Sequence, residues 1–414
     1  MFSQNSSLRH PTAGRASLAL LAAMMFNAEA ITLYREALAL AAQPGETPTA
    51  LLADTLLDLQ EGLGEVLTMM RETGEAVATL RAVLSQLAPT DPLRRARLLR
   101  KLGLASRDDH DKGIPLLESA LAALGAHPTD GQERWWREWL QIKFELAKTY
   151  YQLVRVTEMK AVAQEIEPLL ADYGTPQQAA ELANQLMLIE LRESRFGPSE
   201  TALTHARHFL QAALAADDLP LAASASAALG MILTSHDVLE EAADAFMAAL
   251  DLYVRAGHRA AEIRALVYFA VVRRRQDDVA ATEALSQQAR ALAEAGGMGV
   301  YVSTAEANLA WVAWKRGDVS AARTLAEQAL TGLRAASARS PYFWTALLPL
   351  AAMAFADDEL DLCEEYLEAM TARDQQLLRP AMMASLAALG SSTGSERAAA
   401  CAEALREAAA GRYL

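Results

Sequence analysis

Three kinds of chemistry leave recognisable residue spacings, and each can be sought in this chain of 414 residues. For a metal site, His205 and His208 stand three positions apart, which places both imidazoles on one face of a helix. A bound metal needs three or four converging ligands. No further ligand stands close in sequence, so the pair reads as two polar residues on a helix surface. Asp108-Asp109-His110-Asp111 gathers carboxylates but has neither the length nor the alternation of a calcium loop, and it reads as a solvated turn between helices. For nucleophilic chemistry there are two cysteines, Cys363 and Cys401, with no CxxC pair, and the one GxSxG spacing, Gly390-Ser391-Ser392-Thr393-Gly394, lies in a Gly/Ser linker rather than at a strand-to-helix elbow. No GxxxxGK[ST] string is present to cradle a phosphate. The expectation is a protein that is not an enzyme and uses no metal or cofactor. What remains is binding.

The elements that would position a binding surface are helices. The chain holds 88 alanines and 64 leucines, and only 6% of it is aromatic. Alanine and leucine head the helix scale, whereas strands favour β-branched and aromatic residues. An all-β fold is excluded, and a parallel α/β sheet is argued against. The net charge of −14 argues against nonspecific nucleic-acid binding and against anionic membranes. No apolar run approaches the ~20 residues of a spanning helix.

The helices repeat. Leu229-Gly230 is followed by Ala242, Phe246, Ala249 and Leu250. The same offsets recur at Leu63-Gly64 with Ala76, Leu80, Val83 and Leu84, and at Leu309-Ala310 with Ala322, Ala326, Ala329 and Leu330. Leu350-Ala351 with Cys363, Leu367 and Met370 is another copy, and Phe269-Ala270 with Ala289 a weaker one. Leu102-Gly103 joins the frame with Ala120 if its inter-helix loop is two residues shorter. Leu146-Ala147 marks a further first helix, and a blurred copy lies near Met187. A small residue late in one helix lets the next approach closely, and the following anchors share one face of that second helix. A period of about forty residues, built from two amphipathic segments, is the signature of an α-solenoid. Turn strings such as Gln276-Asp277-Asp278 and Arg316-Gly317-Asp318 fall where the frame needs them. Asp91-Pro92 and Thr175-Pro176 read as N-caps followed by proline in the first helical turn.

This frame resembles the tetratricopeptide repeat, although that repeat is ~34 residues long and this one is nearer forty. Longer helices on the same anchors are similar to the repeat arms of bacterial signalling ATPases, the MalT-like and cyclase-associated kind. The strings carrying that likeness are Pro92 to Gly103 (PLRRARLLRKLG), Arg134 to Leu140 (RWWREWL) and Ala307 to Trp314 (ANLAWVAW). The expected fold is all-α: a right-handed α-solenoid of about nine hairpins over residues 1–390. A Gly/Ser linker and a C-terminal capping helix follow over 391–414. Two readings of residues 9–30 stand side by side, a first repeat helix or a secretory signal with Ala28-Glu29-Ala30 as its cleavage site. Cytoplasmic is the expected location.

The resemblance implies that the first helices line a concave groove, with inner-face positions three, seven and ten residues along from the first. Carried over, the inner face holds Arg97, Arg100 and Arg107, then Phe144, Lys148 and Tyr151, then Arg264 and Arg274, then Trp311 and Trp314. The helix before these carries Asp58, Glu61 and Glu65 at the same positions. Arginine and tryptophan are enriched in binding hot spots. Trp135, Trp136 and Trp139 are assigned to the core instead, because 135, 139, 142 and 146 trace one stripe. The leading expectation is a scaffold or sensor arm for bacterial signalling. Its groove would bind a partner protein, a peptide or a small anionic ligand, and the partner could be an NTPase or cyclase module. The alternative is a ligand-responsive transcriptional regulator, MalT-like or peptide-pheromone type, working with a separate DNA-binding partner.

Overall fold

A computed structural model describes residues 29–40, 50–70, 72–87, 90–106, 110–125, 133–336, 340–392 and 396–414. Residues 9–28 of the N-terminal segment lie outside them, as do Arg107, Asp108 and Asp109. The described residues hold helices and no strand.

Helix α1 covers residues 29–40. Nine helix pairs follow among the described residues. The first three are α2 (Ala50–Met69) with α3 (Thr73–Gln86), α4 (Pro92–Ala105) with α5 (His110–Leu124), and α6 (Glu133–Gln152) with α7 (Val156–Tyr173). The next three are α8 (Pro176–Glu193) with α9 (Glu200–Ala215), α10 (Leu219–Ser235) with α11 (Leu239–Ala256), and α12 (Arg259–Arg275) with α13 (Val279–Ala295). The last are α14 (Gly299–Lys315) with α15 (Val319–Ala335), α16 (Trp344–Ala356) with α17 (Leu360–Ala369), and α18 (Pro380–Leu389) with α19 (Glu396–Ala410). The ninth pair takes in α19, which the sequence frame sets apart over 391–414 as a capping helix; up to residue 390 the described residues hold eight complete pairs.

The caps fall where the sequence frame places them. Asp91 accepts from the Arg94 amide at 2.9 Å, with Pro92 in the first turn. Thr175 and Gln178 cap each other reciprocally, at 3.2 and 3.1 Å. Asp218, Asp278 and Asp318 each accept from the amide three residues on, at 3.0 Å. The residues just before these caps turn the chain through the left-handed region: Asp217, Asp277 and Gly317 have φ of 51°, 61° and 80°. Aspartate and glycine tolerate that conformation better than other residues.

The small-residue frame is a packing rule. A methyl group placed on Gly230 would stand 2.8 Å from the Phe246 ring and 3.2 Å from the Ala242 carbonyl oxygen. Gly64 meets Leu80 in the same way at 2.7 Å. Gly103 meets Leu117 at 3.0 Å and the Gly113 carbonyl at 3.4 Å, which is the offset expected from a loop two residues shorter. The following anchors are buried: Ala242, Phe246 and Ala249 in α11, and Ala322, Ala326 and Ala329 in α15.

The helices form two compact units, Met1–Gln185 and Leu186–Leu414, with the boundary inside α8. The first is cored by Leu63, Leu67, Leu80, Leu98 and Leu102, and further along by Leu117, Trp135, Ile142 and Leu146. Trp135 is buried as its stripe requires, donating from Nε1 to the Leu124 carbonyl at 3.1 Å. The core of the second runs from Met187 through Phe246 and Phe269 to the α14–α19 region. There α19 packs on α16, α17 and α18. Cys363 and Cys401 are both fully buried in this region, and burial pushes the Cys363 thiol up to about 12. It packs as a small apolar residue, as its anchor position implies.

Candidate functional site

Among the described residues of the first unit, the inner-face cations Arg97, Arg100 and Lys148 reach carboxylates of neighbouring first helices. Arg97 of α4 holds Glu61 of α2 at 2.8 and 3.3 Å, and Lys101 reaches the same carboxylate. Arg94 reaches Asp58 at 2.6 Å, and Arg100 pairs with Glu138 of α6 at 2.6 Å. Lys148 of α6 stands 3.5 Å from Glu145 and 3.3 Å from Glu181 of α8. Burial alone would raise the Glu61 carboxyl, but Lys101 and Arg97 outweigh it and hold it below its ordinary value. These cations therefore lace repeat to repeat. Phe144, assigned to the inner face, is instead wholly enclosed in α6, while Tyr151 is half-buried.

In the second unit the first helices touch one another, α10 to α12, α12 to α14 and α14 to α16. That seam closes over positions a wider groove would expose. Thr304, Ala307 and Trp311 of α14 are buried, with Trp311 1% exposed. Trp314 is half-buried, with the Lys315 ammonium 5.8 Å from its ring. Arg274 is likewise enclosed at 1% exposure. Its guanidinium lies 5.6 Å from the Trp311 ring and 5.2 Å from that of Trp344. It donates to the carbonyls of Thr345 at 2.8 Å and Tyr413 at 2.9 Å. Burial pulls it down to about 9. Arg264 has the opposite setting. Part of its side chain is exposed, yet burial is the largest influence on its guanidinium, and Tyr301, Tyr253 and Tyr268 around it outweigh that and favour the charged form.

Beyond this seam the second unit holds a narrow, partly open cleft with about 20 Å³ of free volume. Met231 and Thr234 of α10, Tyr268, Val271 and Arg275 of α12, and Trp344 of α16 line it, with Tyr342, Gln376 and Tyr413. Its walls are tied by long-range bonds. Arg195, in a turn where Arg195 and Phe196 have φ of 51° and 57°, donates to the carbonyls of Thr371, Ala372 and Gln375. Leu377 returns a backbone bond to the Arg195 carbonyl at 2.9 Å. Gln376 donates to the Phe196 carbonyl at 3.0 Å and accepts from Trp344 Nε1 at 2.9 Å. Two consecutive non-glycine residues in the left-handed region are strained, and the segment they grip forms one wall. Rings of Phe196, Tyr342 and Tyr268 follow one another at 6.4 and 5.3 Å.

The repeat frame missed Arg275, Tyr268, Tyr342, Trp344, Gln376 and Tyr413. The run Arg273-Arg274-Arg275 was visible as a signal, but the frame selects only its middle member. No periodicity flags Gln376 or Tyr413, which lie outside the repeats. Among the described residues no group of three or more His, Cys, Asp or Glu side chains is placed to hold a metal. No described helix is long and apolar enough to cross a membrane.

No family model matches the chain. Nor does any curated protein match it in sequence. Solved structures do resemble it. A Rap protein complexed with Competence and Sporulation Factor is 13% identical, with TM-score 0.52, over 84% of this chain and 99% of that one. Aspartyl phosphate phosphatase F from Bacillus subtilis is 12% identical, with TM-score 0.53, over 92% and 98%. The Rap conjugation gene regulator of plasmid pLS20, in complex with the Phr* peptide, is 14% identical, with TM-score 0.53, over 70% and 79%. At such identities the likeness is one of fold. The chain has a tetratricopeptide-like helical-repeat fold.

Proposed function

We propose that this chain is a non-catalytic repeat protein that binds a peptide, or a segment of a partner protein, in the cleft of its second unit. The observation that carries this reading is the cleft itself. Its walls combine aromatic faces, which bury large areas at low entropic cost, with the Arg275 guanidinium. In the first unit the described inner-face cations Arg97, Arg100 and Lys148 are paired with carboxylates instead. Two proteins of similar fold were solved as complexes, one with Competence and Sporulation Factor and the other with the Phr* peptide. The resemblance to signalling-ATPase repeat arms supports a signalling setting, with an NTPase or cyclase module as the downstream partner.

The test is selection from a displayed random-peptide library on the full chain, followed by titration of the recovered peptides. The expected outcome is a family of peptides bound at micromolar affinity or better, weakened at least tenfold by Tyr268→Ala with helical content unchanged. Recovery of no peptide, or of peptides indifferent to Tyr268→Ala, would reject the cleft as the binding site.

A further inference from the structure

Residues 411–414 leave the end of α19 and turn onto α12. The amides of Gly411 and Tyr413 bond back to the carbonyls of Glu407 and Ala408, and Arg412 takes a φ of 58°. That left-handed turn throws Tyr413 off the helix axis. Two adjacent arginines receive the segment. Arg275 donates to the Gly411 carbonyl at 3.0 Å, and its guanidinium lies 4.4 Å from the centre of the Tyr413 ring. Arg274 donates to the Tyr413 carbonyl at 2.9 Å. Trp344 meets the Tyr413 ring edge-on at 5.1 Å. The other arm of Arg275 is fixed by the Thr234 carbonyl at 2.8 Å, and the nitrogen that reaches Gly411 also holds Asp237, which Arg379 engages too.

This is how a protein reads a peptide. Two guanidinium groups take alternate backbone carbonyls, which any sequence supplies, and one aromatic slot selects a side chain. Tyr413, 5% exposed, fills that slot and is at the same time part of the cleft wall. The anchoring of α19 is separate, because Cys401, Ala404 and Ala408 bury its own inner face. The segment beyond Ala410 is therefore the part that could leave while the helix stays. Arg274 adds a bias. It is enclosed, and among the described residues no carboxylate pairs with it, so it holds only neutral carbonyls. A charge-assisted bond to a carboxylate is stronger than one to a carbonyl. An incoming segment that set a carboxylate where the Tyr413 carbonyl now lies would bind better than the resident one.

We propose that Arg274, Arg275 and Trp344 form a receptor for a short peptide segment bearing an aromatic residue, that residues 411–414 occupy it in cis, and that a ligand enters by replacing them. The proposal rests on the peptide-binding reading of the same cleft and names its ligand class and its regulation. The slot would then discriminate among peptides by an aromatic residue followed by a carboxylate, and the chain's own segment would set the threshold concentration.

The probe is a fluorescently labelled synthetic peptide of residues 407–414, EAAAGRYL, titrated by anisotropy. The partners are the full chain, its Tyr413→Ala variant and the double variant Tyr413→Ala with Arg275→Ala. The peptide should bind Tyr413→Ala at least tenfold more tightly than the unaltered chain, and Arg275→Ala should remove that gain. Equal binding to the first two would overturn the proposal, since the resident segment would then not compete. Loss of helix circular dichroism in Tyr413→Ala would also overturn it, since Tyr413 would then be a member of the core and not a removable occupant. Because the probe is the chain's own segment, this result is separate from the library selection. Selected peptides that bound the unaltered and Tyr413→Ala chains equally would retain the peptide-binding reading and discard the exchange.

Discussion

At Gly230 the space left for a side chain is smaller than a methyl group. The Phe246 ring and the Ala242 carbonyl lie 2.8 and 3.2 Å from where a Cβ would stand, and both belong to the partner helix of the same hairpin. Gly230→Ala should therefore cost about 1–3 kcal/mol through overpacking. Urea unfolding would measure the loss, and hydrogen exchange should centre it on α10 and α11. An unchanged midpoint would mean that α11 yields freely and that the small-residue rule is not a constraint. Glu61 makes a different case, because its value depends on charge. Its carboxyl is held below the ordinary 4.5 by Lys101 and Arg97 against the opposing effect of burial. As pH falls the unfolded chain takes up this proton first. The stabilisation is therefore whole above about pH 4.5 and is lost as pH descends through the lower folded value. Glu61→Gln should destabilise the first unit by roughly 1–3 kcal/mol at pH 7, and the difference from the unaltered chain should shrink towards pH 3. A pH-independent difference would assign the loss to packing rather than to the ion pairs.

Helix α12 shows how one element divides its labour along its length. Arg264, near its start, is exposed beside tyrosines. Arg274 and Arg275, at its end, are enclosed and spend their donors on carbonyls of distant segments. Arg264→Ala should leave urea stability within about 0.5 kcal/mol and should weaken acidic peptides most at low salt, where screening is least. Arg274→Ala should instead cost roughly 1–3 kcal/mol by stranding the buried carbonyls of Thr345 and Tyr413. If the two variants behaved alike, the division of the helix would be refuted. The sequence made the helix, its partner and its small late residue Ala270 legible, because those follow from local spacing. It also carried the ion pairs of the first unit: Arg94 with Asp58 and Arg97 with Glu61 are each 36 residues apart, about one helical turn less than the 39-residue step from Gly64 to Gly103. Opposite signs on the same face of successive first helices could have been read as pairing. What the spacing does not encode is how tightly successive first helices close on each other. That closure, set by contacts between repeats, is why Trp311 and Arg274 are enclosed while Arg264 is exposed. Nor does a repeat frame reach Gln376 or Tyr413, whose places depend on segments outside any hairpin.

Across the whole chain, a solenoid's stability is close to a sum of repeat and nearest-neighbour terms. A ligand that binds one region should then protect that region and little else. The two units differ in what they offer. In the first, α2, α4, α6 and α8 are laced by Arg97, Lys101, Arg100 and Lys148 to carboxylates of adjacent helices, so their charges stabilise the stack. In the second, the aromatic cleft and its two arginines hold a segment of the chain itself. A peptide present at a hundred times its Kd should raise the opening free energy of the cleft region by about 2.7 kcal/mol. In hydrogen exchange that protection should concentrate on α10, α12 and α16. Residues 411–414 should behave in the reverse sense, becoming faster to exchange as the ligand takes their place. Residues 50–125 should be unchanged. Protection centred on α2 to α6 would move the binding site to the first unit and require the ligand to displace the Glu61 and Glu138 pairs. Slower exchange at residues 411–414 would mean that the ligand binds over the segment rather than in its stead.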